Sequence, residues 1–187
     1  MKVVVVYDNR RPEKLPLFSS ELQKQGIKDY EIFPAIVLTH SVVESISESF
    51  KSVIRSAKEN GDEEICIMED DIIFSSPNGW QYFLENKPKE YSVYIGGNYL
   101  IDNRIEYKKP LIEIPEWVGN HIICVHKSYY DIWLNSDSTL HCDGIHKGKG
   151  KFYSVFPYVG FQRNGWSANN NAVQYWSSIM PKEFIYQ

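Results

Sequence analysis

Apolar residues in this chain come in short dense runs, and the runs alternate with segments of helical spacing. Val3-Val4-Val5-Val6-Tyr7 is continuously apolar and β-branched, the pattern of a strand buried on both faces of a parallel sheet. Asp8-Asn9-Arg10-Arg11-Pro12 breaks it. Leu15, Phe18 and Leu22 then recur at helical spacing, with Gly26 as a stop. Tyr30 to Ala35 reads as a second strand. Ser41 and Glu44 stand as in a capping box, Ile46, Phe50, Val53, Ile54 and Ala57 line one helix face, and Gly61 closes it. Ile65 to Met68 is a third strand. This strand–helix–strand alternation predicts an α/β fold.

Further along, Trp80, Phe83 and Leu84 suggest a short helix and Ser92 to Ile95 a strand. Arg104 to Ile114 is strand-like but carries Pro110, which predicts an edge strand or a hairpin. Val118 to Val125 reads as a strand, Tyr129, Ile132 and Trp133 as a helix, and Phe152 to Phe156 as a strand. Gly144 to Lys151 is a basic, glycine-rich loop. In the aromatic tail, Gly165 to Asn171 reads as a turn, with an asparagine capping a helix over Ala172 to Trp176. No repeat or linker divides the 187 residues, a length that suits one domain spanning 1–187.

Composition narrows the function classes. Hydrophobic residues make up 43% and charged residues 24%, ordinary for a soluble globular protein. A net charge of -4 argues against a broad nucleic-acid surface. Three cysteines are too few for a disulfide framework, and reduced thiols point to a cytoplasmic protein. The first apolar run is shorter than a signal-peptide core, and no stretch approaches the roughly 18 apolar residues of a transmembrane segment.

The candidate chemistry lies at the end of the third strand. Ile65-Cys66-Ile67-Met68 runs into Glu69-Asp70-Asp71 and then into Ile72-Ile73-Phe74. Three adjacent carboxylates between apolar runs repel one another and resist burial, so they call for a positive partner: a divalent metal or basic side chains. At the carboxyl end of a sheet strand, such acids can hold Mg²⁺ or Mn²⁺ beside a phosphorylated ligand. They also suit an exposed acidic turn.

Residues Ser49 to Phe74, centred on Cys66-Ile67-Met68-Glu69-Asp70-Asp71-Ile72, resemble glycosyltransferase family 25, the lipooligosaccharide and collagen galactosyltransferase group. Ser49-Phe50 stands where that family has a Ser-His pair. Weaker resemblances follow in the family's order: Val5-Tyr7-Asp8-Arg10-Arg11, Phe33-Pro34-Ala35, Gly119-Asn120-His121-Ile122-Ile123, Asp143, and Pro157, Gln162 and Ser167. The resemblance implies a single-domain GT-A-like (Rossmann-like) fold, with a mostly parallel sheet and helices on both faces. It implies transfer of a hexose such as galactose, with inversion, from a nucleotide diphosphate sugar such as a UDP-sugar to a glycan or other hydroxyl acceptor.

On this reading Asp70 and Asp71, with His146 or His141 completing the set, hold Mn²⁺ or Mg²⁺. Asp8, Arg10, Arg11, Ser49, Glu69 and Asp70 bind the nucleotide or its phosphates, and Asp143 is the catalytic base. Asp143 is also a plausible helix cap or metal ligand. Two other readings are a non-catalytic carbohydrate or nucleotide-sugar binder, suggested by Phe50, and a metal-dependent phosphoester hydrolase. A zinc site among His121, His126, His141, His146, Cys124 and Cys142 lacks the usual ligand spacing. Trp166 is a candidate for stacking on a sugar ring, as are the nearby asparagines for reading hydroxyls.

Overall fold

The computed structural model describes residues 1–102, 104–167, 171–176 and 180–187. Asn169 and Asn170 therefore lie outside the described residues. The first half alternates as its pattern predicts: β1 (Lys2–Tyr7), α1 (Lys14–Lys24), β2 (Glu31–Pro34), α2 (Val42–Asn60) and β3 (Glu64–Glu69). The Ser41 hydroxyl accepts from the Glu44 amide at 3.1 Å to start α2, and Gly61 ends it in the left-handed region. There follow β4 (Ile72–Phe74), α3 (Gly79–Glu85), β5 (Val93–Ile95), β6 (Leu111–Ile114), β7 (Ile122–His126) and α4 (Tyr130–Leu134). The chain closes with β8 (Phe152–Val155), β9 (Gly160–Gln162), β10 (Gly165–Ser167) and β11 (Ala172–Gln174).

The central sheet has seven strands in the order β2-β1-β3-β7-β5-β8-β6. Strands β2, β1, β3, β5 and β8 run one way, and β7 and β6 run the other. This is a mostly parallel, Rossmann-like sheet. Pro110 precedes β6 directly, and β6 is indeed an edge strand.

Strand alternation divides the core between the two sheet faces. Val4, Val6, Ile65 and Ile67 point to one side, where Phe50, Val53, Ile54 and Ala57 of α2 and Trp133 of α4 cover them. Val3, Val5, Cys66 and Met68 point to the other, under Phe18 and Leu22 of α1 and Trp80 and Phe83 of α3. Helices thus cover both faces.

Two short sheets lie beside the central one. Strand β4 pairs antiparallel with β9, so the chain leaving the acids is tied to a segment far along the sequence. Gly97, just past β5, lets β9 pass close to that strand end, because a Cβ there would collide with the Gly160 carbonyl. Strands β10 and β11 form a hairpin. The helix expected over Ala172 to Trp176 is instead this second hairpin strand. Trp166 opposes Val173, and both are exposed along with Tyr175, so a period-two pattern governs the segment.

Phe50 is buried and stacks on Trp133 with ring centroids 6.4 Å apart. It joins α2 to α4. Phe50→Ala is expected to cost about 3–5 kcal/mol of unfolding free energy, measured by equilibrium urea denaturation.

Candidate functional site at the β1 and β3 strand ends

The register of β1 against β3 sets Val6 opposite Glu69. The residues after both strands therefore emerge side by side. The Asp8 amide donates to Asp70 Oδ2 at 2.9 Å, which ties the two strand exits together. The Arg163 amide donates to the Asp71 carbonyl at 2.7 Å and holds the same turn from the β9 side.

Lys14, the first residue of α1, supplies the positive partner. Its ammonium bonds Asp70 Oδ1 and lies 3.5 Å from Asp71 Oδ2. The Lys14 and Asp70 side chains are only 13% and 8% exposed, so this is a buried ion pair. Burial opposes the charge on Lys14, but Asp71 and Asp70 outweigh it and the ammonium pKa is raised.

One lysine cannot balance three carboxylates. Glu69 Oε2 accepts from the Gln162 side-chain amide at 3.1 Å, and among the described residues Glu69 forms no salt bridge. Burial, then Asp71 and Asp70, push the Glu69 pKa up to about 8. Burial likewise raises Asp71, against the pull of Lys14, and Asp71 Oδ1 is buried with no hydrogen-bond partner. Near neutral pH, Glu69 is mostly protonated.

The remaining predicted residues separate into two groups. Asp8 lies at the cluster through its backbone, while its carboxylate is engaged by Arg10 at 2.9 and 2.7 Å. The Arg10 bond holds the Asp8 pKa down. Arg11 donates to Glu13 at 3.3 Å and to the Trp166 carbonyl at 3.4 Å, so the β10–β11 hairpin is tethered beside the turn after β1. The charge of Asp143 adds slightly to the rise in the Glu69 pKa, behind burial and the two aspartates. Its Oδ2 accepts from the Gly119 amide at 3.0 Å and its Oδ1 from the Gly144 amide at 2.8 Å, the capping contact weighed from the sequence.

Ser49 and His146 belong elsewhere. The buried Ser49 hydroxyl accepts from the Ile36 amide at 2.8 Å and donates to the Ser45 carbonyl at 2.7 Å. It fixes the segment after β2 and has its hydrogen bonds filled by backbone. His146 is buried against Trp117 and Trp133, with Nδ1 3.1 Å from the Tyr129 hydroxyl. Burial pushes its pKa down to about 4. Its place in the aromatic core corrects the expectation that it completes a metal site with Asp70 and Asp71. The sequence neighbourhood of His and Cys residues gives no hint of these aromatic partners.

A divalent ion does not fit this donor set. Both Asp70 oxygens are bonded, one by Lys14 and one by the Asp8 amide, and the ammonium also faces Asp71. Among the described residues, no group of three or more His, Cys, Asp or Glu side chains is arranged to hold a metal ion.

The sequence reading does not single out Lys14, although a cation in the first turn of a helix, where the helix field disfavours it, is a usable signal. Gln162 enters that reading only through the family resemblance. It contacts Glu69 and also donates its backbone amide to the Tyr99 hydroxyl at 2.8 Å, and the Tyr99 ring stacks on Trp176 at 4.6 Å. A separate open cleft of about 480 Å³, lined by Arg104, Glu113, Ile114 and Gly150 among others, includes none of Asp8, Glu69, Asp70, Asp71 and Asp143. Lys147 and Lys151 in the glycine-rich loop pair with Glu116 and Glu90 on the surface.

No family model and no curated protein matches the chain. Among solved structures, A197 from STIV is similar with a TM-score of 0.52 at 14% identity, over 92% of this chain and 93% of that one. At this identity the likeness concerns the fold alone. A glycosyltransferase involved in the glycosylation of the major capsid of PBCV-1 gives a TM-score of 0.41 at 11% identity, over 71% of this chain and 64% of that one. Mannose-1-phosphate geranyltransferase from Thermus thermophilus gives 0.48 at 7% identity, over 84% and 59%. No described helix is long and apolar enough to cross a membrane.

The raised Glu69 pKa has a definite stability signature. The folded chain keeps a proton that the unfolded chain releases above its ordinary value of 4.5. The resulting stabilisation is full below that value and is lost as pH rises through about 8. Glu69→Gln is uncharged throughout. Its Tm relative to wild type is expected to move in the variant's favour between about pH 5 and about pH 9. A pH-independent Tm difference in thermal melts would contradict a raised Glu69.

Proposed function

We propose that this chain is a glycosyltransferase that binds a nucleotide diphosphate sugar at the carboxyl ends of β1 and β3. It passes the sugar, with inversion, to a hydroxyl of a glycan or other acceptor. The observation that carries the reading is the β1–β3 register, which gathers Asp8, Glu69, Asp70 and Asp71 at one end of the sheet. Nucleotides characteristically bind outside the carboxyl ends of strands in such sheets. The resemblance of Ser49 to Phe74 to family 25 supports the same reading, and a UDP-sugar is the first donor to try.

In this mechanism the acceptor oxygen attacks the anomeric carbon while the bond to the diphosphate breaks. The diphosphate leaves with the electron pair, and Asp143 takes the acceptor's proton. The Gly119 and Gly144 amides fix the orientation of its carboxylate. Arg11, whose present bonds are long, turns to meet a phosphate oxygen in this reading. Arg10 is held on Asp8 and serves the turn. Exposed Trp166, tethered through Arg11, offers a ring face to a sugar.

A thermal-shift panel of nucleotides and nucleotide sugars, with and without Mn²⁺, tests this on wild type and Asp71→Ala. At a donor concentration about 100 times its Kd, wild type is expected to gain roughly 5–10 °C and the variant markedly less. No shift with any member of the panel would overturn the proposal. Stabilisation without transfer to any acceptor would favour a non-catalytic binder.

A further inference from the structure

The acidic strand end has its own cation. Lys14 projects from the first turn of α1 across to Asp70 and Asp71, although the positive end of a helix disfavours a lysine there. Its side chain is nearly as buried as that of Asp70. Burying a lone ammonium is costly, so the placement is stable only with its carboxylate partner. Asp70 has its second oxygen on the Asp8 amide, which fixes the carboxylate for Lys14 rather than leaving it free to turn toward another ligand. A divalent ion coordinated by Asp70 and Asp71 would lie beside the ammonium and be repelled by it.

We propose that Lys14 takes the place of a divalent ion at this site, so that the acids are organised, and the donor is bound, without metal. The statement about the donor rests on the glycosyltransferase reading; the statement about Lys14 does not. Asp71 is held by the same ammonium at longer range, so a single side chain of this protein bridges both aspartates. Lys14 is a positioning residue on this account: it sets where Asp70 and Asp71 stand and need not touch substrate.

Mn²⁺ titration by calorimetry, in the absence of any nucleotide, tests the lysine's role on wild type, Asp71→Asn and Lys14→Met. Wild type is expected to show no Mn²⁺ binding that Asp71→Asn removes, up to millimolar metal. Lys14→Met keeps the stem without the charge. It is expected to lose several degrees of Tm, to recover part of that loss with Mn²⁺, and to bind Mn²⁺ at least about tenfold more tightly than wild type. Asp71-dependent Mn²⁺ binding by wild type would overturn the proposal, and so would a soluble Lys14→Met with no gain in metal affinity. If Lys14→Met does not fold, the comparison of wild type with Asp71→Asn still decides. A donor that stabilises wild type equally in EDTA and in Mn²⁺ supports the metal-free site, whereas stabilisation only with Mn²⁺ overturns it. Failure of every donor would sink the glycosyltransferase reading while leaving the Mn²⁺ result to judge Lys14.

Discussion

The buried contact between Lys14 and Asp70 is the constraint on which this end of the molecule depends. β3 must deliver Glu69, Asp70 and Asp71 to a place where burial penalises each negative charge. The protein resolves the conflict in three different ways. Asp70 receives an ammonium and a backbone amide, Asp71 shares the ammonium at longer range, and Glu69 retains a proton. Removing the lysine would leave a buried carboxylate uncompensated, which typically costs more than the intact pair contributes.

The sheet explains why these groups meet. Parallel pairing places the exits of β1 and β3 on one edge of the core, and the register brings Asp8 beside Asp70. The short turn after β1 then launches α1 so that its first residue points back to the acids. Packing of Phe18 and Leu22 on Val3, Val5, Cys66 and Met68 sets that helix against the sheet. The position of Lys14 is thus a consequence of the hydrophobic face of α1. The β4–β9 pair acts from the other side, bringing Gln162 to Glu69 and the Arg163 amide to Asp71.

Much of this was legible in the chain because the decisive signals were local. The β-branched run of β1, the Ser41 cap and apolar stripe of α2, and the apolar run of β3 each state their structure within a few residues. The acidic triplet is equally local. Its partners are not: Lys14 lies 56 residues from Asp70, and Gln162 lies 93 from Glu69. No periodicity reports such pairings. The three-residue strands β9, β10 and β11 escaped for the same reason, since pairing and not propensity makes them strands. His146 shows the converse error: the resemblance to GT-A enzymes suggested a metal ligand, whereas Trp117, Trp133 and Tyr129 make it a core residue.

Charge accounting also separates the roles of the three acids. Asp70 is spent on structure, because both its oxygens are bonded within the protein. Protonated Glu69 adds no charge near neutral pH and is bound to Gln162. Asp71 has an oxygen that is shielded from solvent and still without a partner. Any ligand that lays a hydrogen-bond donor against this end would therefore gain most at Asp71, where desolvation has already been borne and a bond is still unmade. That asymmetry makes the triplet something other than three equivalent ligands: one acid anchors, one stays neutral, and one remains able to respond.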